Sequence, residues 1–260
     1  MKMDPGSSTA WHRSCPFKIE HIFGACNLAL RGHRLVWALA ALISILPLAA
    51  PAVSQPAPQT RFVVVLDAAH GGDDTGGRLA HDQLEKNFTL AMSVRLRSLL
   101  AARGIQVVTT RDSDATVEPG KRAEIANHAQ ALACLSLHAS QSGSGLHLFA
   151  SSLPPAAPAR FPAWKTAQAA WVTHSLKLAG VLNSALLHAD MSVTLGRTSL
   201  PALDSMTCPA VAVEIAPEQN SSHETTAGLD DKNYQARVAA ALAAALLEWR
   251  TEAWRTEARP

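Results

Sequence analysis

Apolar residues recur along this chain in two alternating rhythms. Residues 61–67 (RFVVVLD) form a short β-branched run that reads as a strand buried on both faces. Leu84, Phe88, Met92, Leu96 and Leu99/Leu100 then return at three- and four-residue spacing. That is one apolar face of a helix running to Arg103, closed by Gly104. The pattern continues with strands at 105–110 (IQVVTT), 133–138 (ACLSLH), 145–151 (GLHLFAS) and 209–215 (PAVAVEI). Helices are predicted at 118–130, with Pro119 near the start, at 175–190 and at 233–249. A Gly-rich loop occupies 70–78 (HGGDDTGGR), and 152–165 is the longest stretch of weak periodicity. Alternation of this kind predicts an α/β fold, a single domain with a mostly parallel central sheet of about six strands and helices on both faces.

Ahead of this body, LVWALAALISILPLAAPAVS (residues 35–54) carries no charge and follows Arg31 and Arg34. A positive segment before an apolar one is the pattern of an export leader, assigned to 1–54. A short Pro-rich linker (55–60), the body (61–250) and a polar tail (251–260) complete the organisation. An uncleaved anchor is the competing reading, because about 20 apolar residues can span a bilayer. Pro47 and the small residues Ala50, Ala52 and Ser54 favour cleavage near Val53 or Gln55. Either way the body is expected outside the cytoplasm, in the periplasm or cell envelope, with a membrane contact only through an uncleaved leader.

Composition narrows the function classes. In 260 residues, 48% hydrophobic and 17% charged positions allow a real core and exclude a disordered chain. The formal charge of +2 comes from the leader, where Lys2, Arg13, Lys18, Arg31 and Arg34 face only Asp4 and Glu20. The near-neutral body has no basic run, so nucleic acid is not an expected partner. Cys134 and Cys208 sit inside or beside apolar runs and read as buried free thiols. A bridge is open to them if their strands are neighbours in an oxidising compartment.

Ligands of open α/β sheets gather at the carboxyl ends of strands. His70 follows the first strand, His138 ends the 133–138 strand, Glu214 sits near the end of PAVAVEI, and Glu85 opens the first helix. Two imidazoles and one carboxylate suit a catalytic zinc with an open fourth position. A further carboxylate is then needed for proton transfer, and Glu214, inside an apolar strand, suits that work. A lone histidine is more often a surface or satisfied core residue, the reading applied to His81, His128, His147, His174, His188 and His223. With no H-x-x-H or C-x-x-C spacing, the pattern alone leaves the metal site open. GGDDTGG lacks both G-x-G-x-x-G and a following G-K-[ST], which argues against a phosphate loop.

The string VVLDAAHGGDDTGGR resembles the opening motif D-P-G-H-G-G-x-D-x-G of the zinc-dependent N-acetylmuramoyl-L-alanine amidases of the type 3 family. LEKNFTLAMSVRLRSLLAARGIQVVTTRDSD and KRAEIANHAQALACLSLHAS are similar to that family's next two blocks, and GLHLFAS and PAVAVEIAPEQN fall where its last strands lie. The likeness covers about residues 61–250. It implies zinc ligands at His70, Glu85 and His138, a catalytic Glu214, and hydrolysis of the amide between N-acetylmuramic acid and L-alanine in peptidoglycan. Ala68-Ala69 replace Pro-Gly, Ser140 replaces the usual Asn, and Ala216-Pro217-Glu218 replace Gly-Phe-Leu, which makes Glu218 a rival base. Two alternatives stand beside this reading: a non-catalytic amidase-like wall-binding module, and a zinc peptidase acting on another wall amide. A regulatory activator protein is a further expected partner. A blocking helix for it to displace would fall in 152–175, where Trp164 and Trp171 could anchor it, unless that segment is an ordinary loop and helix start.

Overall fold

The computed structural model describes residues 61–158 and 163–257, with side chains through Glu252. The predicted leader and linker lie outside the described residues. Six strands form the main sheet: β1 (Val63–Ala68), β2 (Gln106–Thr109), β3 (Ala133–Ala139), β4 (Leu146–Ser151), β5 (Val193–Thr198) and β6 (Ala210–Ile215). Their spatial order is β2-β1-β3-β6-β4-β5. β2, β1, β3 and β6 run parallel, β4 is antiparallel to β6, and β5 is parallel to β4. The helices are α1 (Glu85–Ala101), α2 (Pro119–His128), α3 (Val172–His188), α4 (Pro201–Asp204) and α5 (Lys232–Glu257). A two-stranded ribbon, β7 (Glu218–Gln219) and β8 (Thr225–Ala227), stands apart. The expected α/β sheet is therefore the one observed.

Alternate residues of each strand face opposite layers, and both layers are covered. Val64, Leu66, Leu135, Leu137, Val211 and Val213 join Phe88 and Leu96 of α1, Leu178 and Leu182 of α3, and Leu242 and Leu246 of α5 in the larger core. On the other face Val65, Cys134, Ala210 and Ala212 meet Ala123 and Ala126 of α2 and Leu203 of α4. Small residues there let two short helices lie close to the sheet. α5 continues through Glu257, so most of the predicted tail is helical. Among the described residues no helix is long and apolar enough to cross a membrane.

Local details depart from or add to the sequence reading. Cys134 and Cys208 are not free thiols but a disulfide. β3 and β6 are neighbours with Cys134 opposite Ala210, which brings the two Cα atoms to 6.4 Å, within bridging range. Strand β5 has no apolar run to betray it: it is an edge strand, with Leu195 exposed and Gly196 in its middle. In the described part of 152–175, a 3-10 helix (Trp164–Ala170) leads into α3. Its Gln168 amide donates to the carbonyls of Met206 and Cys208 at 2.9 and 3.0 Å, while Trp164 is 62% exposed. The described part of the segment is thus a 3-10 turn fastened to the chain between α4 and β6.

Candidate metal centre

Three elements deliver three donors to one point. His70 lies in the loop after β1, Glu85 is the first residue of α1, and His138 is the penultimate residue of β3. Their ligand atoms all lie within 4.8 Å of one another. His70 Nε2 and His138 Nδ1 each stand 3.2 Å from Glu85 Oε1. The same carboxylate accepts the amide N–H of Gly77 at 2.8 Å and of Ala139 at 3.1 Å. Burial opposes the charged form of Glu85. The hydrogen bonds from His138, His70 and the two amides outweigh it and hold the carboxyl far below its ordinary range.

Each imidazole is oriented from behind. His70 Nδ1–H donates to both oxygens of Asp74 at 2.9 Å, which leaves Nε2 facing Glu85. The hydrogen bond to Glu85, with Asp74 behind it, raises the His70 pKa against the effect of burial. Behind His138, the Ser136 hydroxyl donates to Asp67 Oδ2 at 2.7 Å, and its oxygen stands 3.4 Å from His138 Nε2. A metal taking the place of the Nδ1 proton that Glu85 accepts would leave the imidazole proton on Nε2, where it completes that chain. These donors are the set a zinc ion takes, and the ring orientations fit it. Gly76, at φ +63°, closes the loop: a Cβ there would stand 2.6 Å from the His70 ring and 2.8 Å from Glu85 Oε2.

The loop is held by arginines that sequence reasoning did not single out. Arg122 Nη1 donates to Asp67 Oδ1 and to the Ala68 carbonyl, and Nη2 to the His70 carbonyl, all at 2.7 Å. Arg122 and Asp67 are only 8% and 3% exposed. Arg111 reaches the carbonyls of Ala68 and Ala69 at 2.9 and 3.0 Å. Together they fix His70 in its left-handed backbone conformation (φ 63°). Their distance in sequence from His70 hid them, since no local pattern joins position 70 to position 122.

Glu214 stands opposite His138 in the β3–β6 register, so both side chains leave the same face of the sheet. Its side chain is 34% exposed. The structure therefore brings all four predicted residues to one sheet edge, with Glu214 outside the ligand cluster. Glu218 is turned elsewhere: Arg237 Nη2 binds its carboxylate at 2.7 Å. The Ala216-Pro217 backbone is tied to Gly145 by hydrogen bonds of 2.8 and 3.0 Å, and Tyr234 Oη donates to the Ala216 carbonyl. Beside His70 and His138 opens a cavity of about 160 Å³ whose apolar wall includes Val117, Pro119, Leu200 and Leu203.

Comparison with known proteins places this geometry. A family model described as N-acetylmuramoyl-L-alanine amidase matches residues 64–248. The germination-specific N-acetylmuramoyl-L-alanine amidase of Bacillus subtilis (strain 168) is 32% identical over 110 residues, 35% of this chain and 46% of that protein. N-acetylmuramoyl-L-alanine amidase AmiA of Escherichia coli (strain K12) is 40% identical over 77 residues, 30% of this chain and 27% of that protein. The matches thus span less than half the length of either curated relative. Among solved structures, the catalytic domain of CwlV, an N-acetylmuramoyl-L-alanine amidase from Bacillus (Paenibacillus) polymyxa var. colistinus, is similar with a TM-score of 0.58. Its identity is 27%, over 73% of this chain and 98% of that one.

Proposed function

Because the chain belongs to the N-acetylmuramoyl-L-alanine amidase family, we propose that it is a zinc hydrolase of peptidoglycan. The bond cleaved joins the lactyl group of N-acetylmuramic acid to the L-alanine of the stem peptide. One observation carries the reading: His70, Glu85 and His138 converge within 4.8 Å, with Glu214 beside them but outside the ligand set. Zinc held by these three groups would supply Lewis acidity to the scissile carbonyl and to a water molecule.

The chain's own residues do the rest. Glu214 takes a proton from the water as its oxygen bonds to the acyl carbon, then delivers that proton to the departing nitrogen as the C–N bond breaks. The products are the free lactyl carboxylate and a peptide beginning with an L-alanine amine. Asp74 and the Ser136–Asp67 pair keep both imidazoles aimed throughout. The apolar wall of the neighbouring cavity suits a methyl group of the lactyl or alanyl unit.

Digestion of purified peptidoglycan, with the released fragments identified by mass, tests the reading. Stem peptides with a free L-alanine terminus are expected. Cleavage only between amino acids would make the protein a peptidase, and binding without release would make it a wall-binding module. Export is part of the same proposal. The apolar leader supports it, and so does the Cys134–Cys208 bridge, a feature of oxidising compartments. N-terminal sequencing of the native protein should find a start near Val53 or Gln55. An activator protein is proposed on sequence grounds alone, and a pull-down from envelope extract would test it.

A further inference from the structure

His147 reads from sequence as one more unremarkable histidine, yet its position is particular. It lies on β4, and the antiparallel β4–β6 register sets it directly opposite Glu214. Across the sheet edge the order is therefore His147, Glu214, His138, all leaving one face. His147 Nδ1 stands 3.9 Å from Glu214 Oε1, with the two side chains 21% and 34% exposed. The other ring nitrogen, Nε2, is buried and has no hydrogen-bond partner among the described residues. Gly143, at φ +86°, covers that edge of the ring: a Cβ there would stand 2.7 Å from Cε1 and 2.8 Å from Nε2.

The burial of Nε2 selects a tautomer. A buried N–H without an acceptor is rarer and costlier in folded proteins than an under-used acceptor. The proton of the imidazole therefore belongs on Nδ1, where it faces the Glu214 carboxylate. The 3.9 Å separation is about 1 Å beyond hydrogen-bond length, a gap that rotation of a partly exposed carboxylate closes. Contacts of this kind are often long without substrate and tighten in the reacting complex.

We propose that His147 is a positioning residue for Glu214: its Nδ1–H holds Oε1, which leaves Oε2 turned toward the metal centre to carry the proton. The inference rests on the amidase reading, since Glu214 is the proton carrier only there. It also accounts for Gly143, whose lack of a side chain lets the loop seal the far nitrogen. A space-filling role would need neither the tautomer nor the direction.

The test exploits the shape of two amides. The Asn side-chain nitrogen can take the place of Nδ1, whereas the Gln nitrogen reaches the place of Nε2. His147→Asn should keep kcat within about threefold of wild type. His147→Leu and His147→Gln should lose about 10- to 100-fold in kcat, the worth of one hydrogen bond to a charged group, with KM and zinc content little changed. Nitrogen-15 spectra of the full chain, with the His147 signal identified by its loss in His147→Leu, should show the proton on Nδ1. A proton on Nε2, a fully active Leu variant, or an Asn variant as slow as Leu would each overturn the proposal. A wild type that releases no stem peptide would overturn the amidase reading instead, visibly so before any variant is compared.

Discussion

Breaking the bridge between Cys134 and Cys208 should cost the fold several kcal/mol. The two residues are 74 positions apart, so the oxidised unfolded chain is closed into a long loop that the reduced chain lacks. Loop-closure entropy for that length corresponds to about 4.4 kcal/mol at room temperature, a figure that scales only with the logarithm of loop size. For a domain of this size that is a fall in Tm of roughly 9–18 °C. Urea titration of the wild type with and without reductant measures it directly. The Cys134→Ala/Cys208→Ala variant is the control, because its midpoint should ignore reductant. Two results would refute the reasoning: coincident oxidised and reduced wild-type curves, or alkylation of both cysteines in the unreduced, denatured protein.

Other expectations follow from the site itself. Glu214→Gln should retain zinc while turnover falls by about 10²–10⁴-fold, and Glu218→Gln should leave turnover unchanged, since Arg237 already occupies that carboxylate; metal analysis beside hydrolysis rates checks both. Glu85→Gln should weaken zinc binding itself, because a neutral amide replaces the anionic ligand. His70 is raised in the metal-free protein by its hydrogen bond to Glu85 and then by Asp74, so a proton competes with zinc for Nε2. Zinc affinity should therefore be weakest on the acid side, strengthen as pH rises through the raised His70 pKa and level off above it; calorimetry in a series of buffers of increasing pH should find proton release that fades as His70 loses its proton. Arg122→Met should destabilise the fold by about 3–5 kcal/mol, since it leaves Asp67 buried without its cation, and denaturant titration reads the loss.

What could be read from the sequence was whatever repeats locally. The strand 63–68 and the helix from Glu85 announce themselves because burial on both faces and an apolar stripe each leave a periodic trace. His70, His138, Glu85 and Glu214 were reachable because strand ends concentrate ligands and because the motifs around them resemble a family. Asp67, Asp74, Ser136 and Arg122 were not singled out. Arg122 meets the His70 carbonyl and Asp67 across more than fifty positions of chain, while Asp74 and Ser136 lie within four positions of the histidines they orient, where residue type alone assigns no such role. Strand β5 escaped because an edge strand needs no apolar face, and the reversed direction of β4 escaped because alternation does not encode polarity. The role inferred for His147 depends on that reversal, since only the register of β4 against β6 sets it opposite Glu214.

The insertion of β6 between β3 and β4 bears on the order in which the protein comes to life. β3 and β4 are consecutive in the chain, joined by a short link, yet they do not pair in the sheet; a slot between them waits for residues 210–215. β6 pairs with strands far back in the chain, so those pairings cannot close until residues 210–215 are present. A chain that has folded only through β4 would already carry His70, Glu85 and His138 but would hold no carboxylate opposite His138. Glu214, the proposed proton carrier, therefore joins the three candidate ligands only once β6 is seated between its neighbours. The proposed site is thus complete only when nearly the whole sheet is in place.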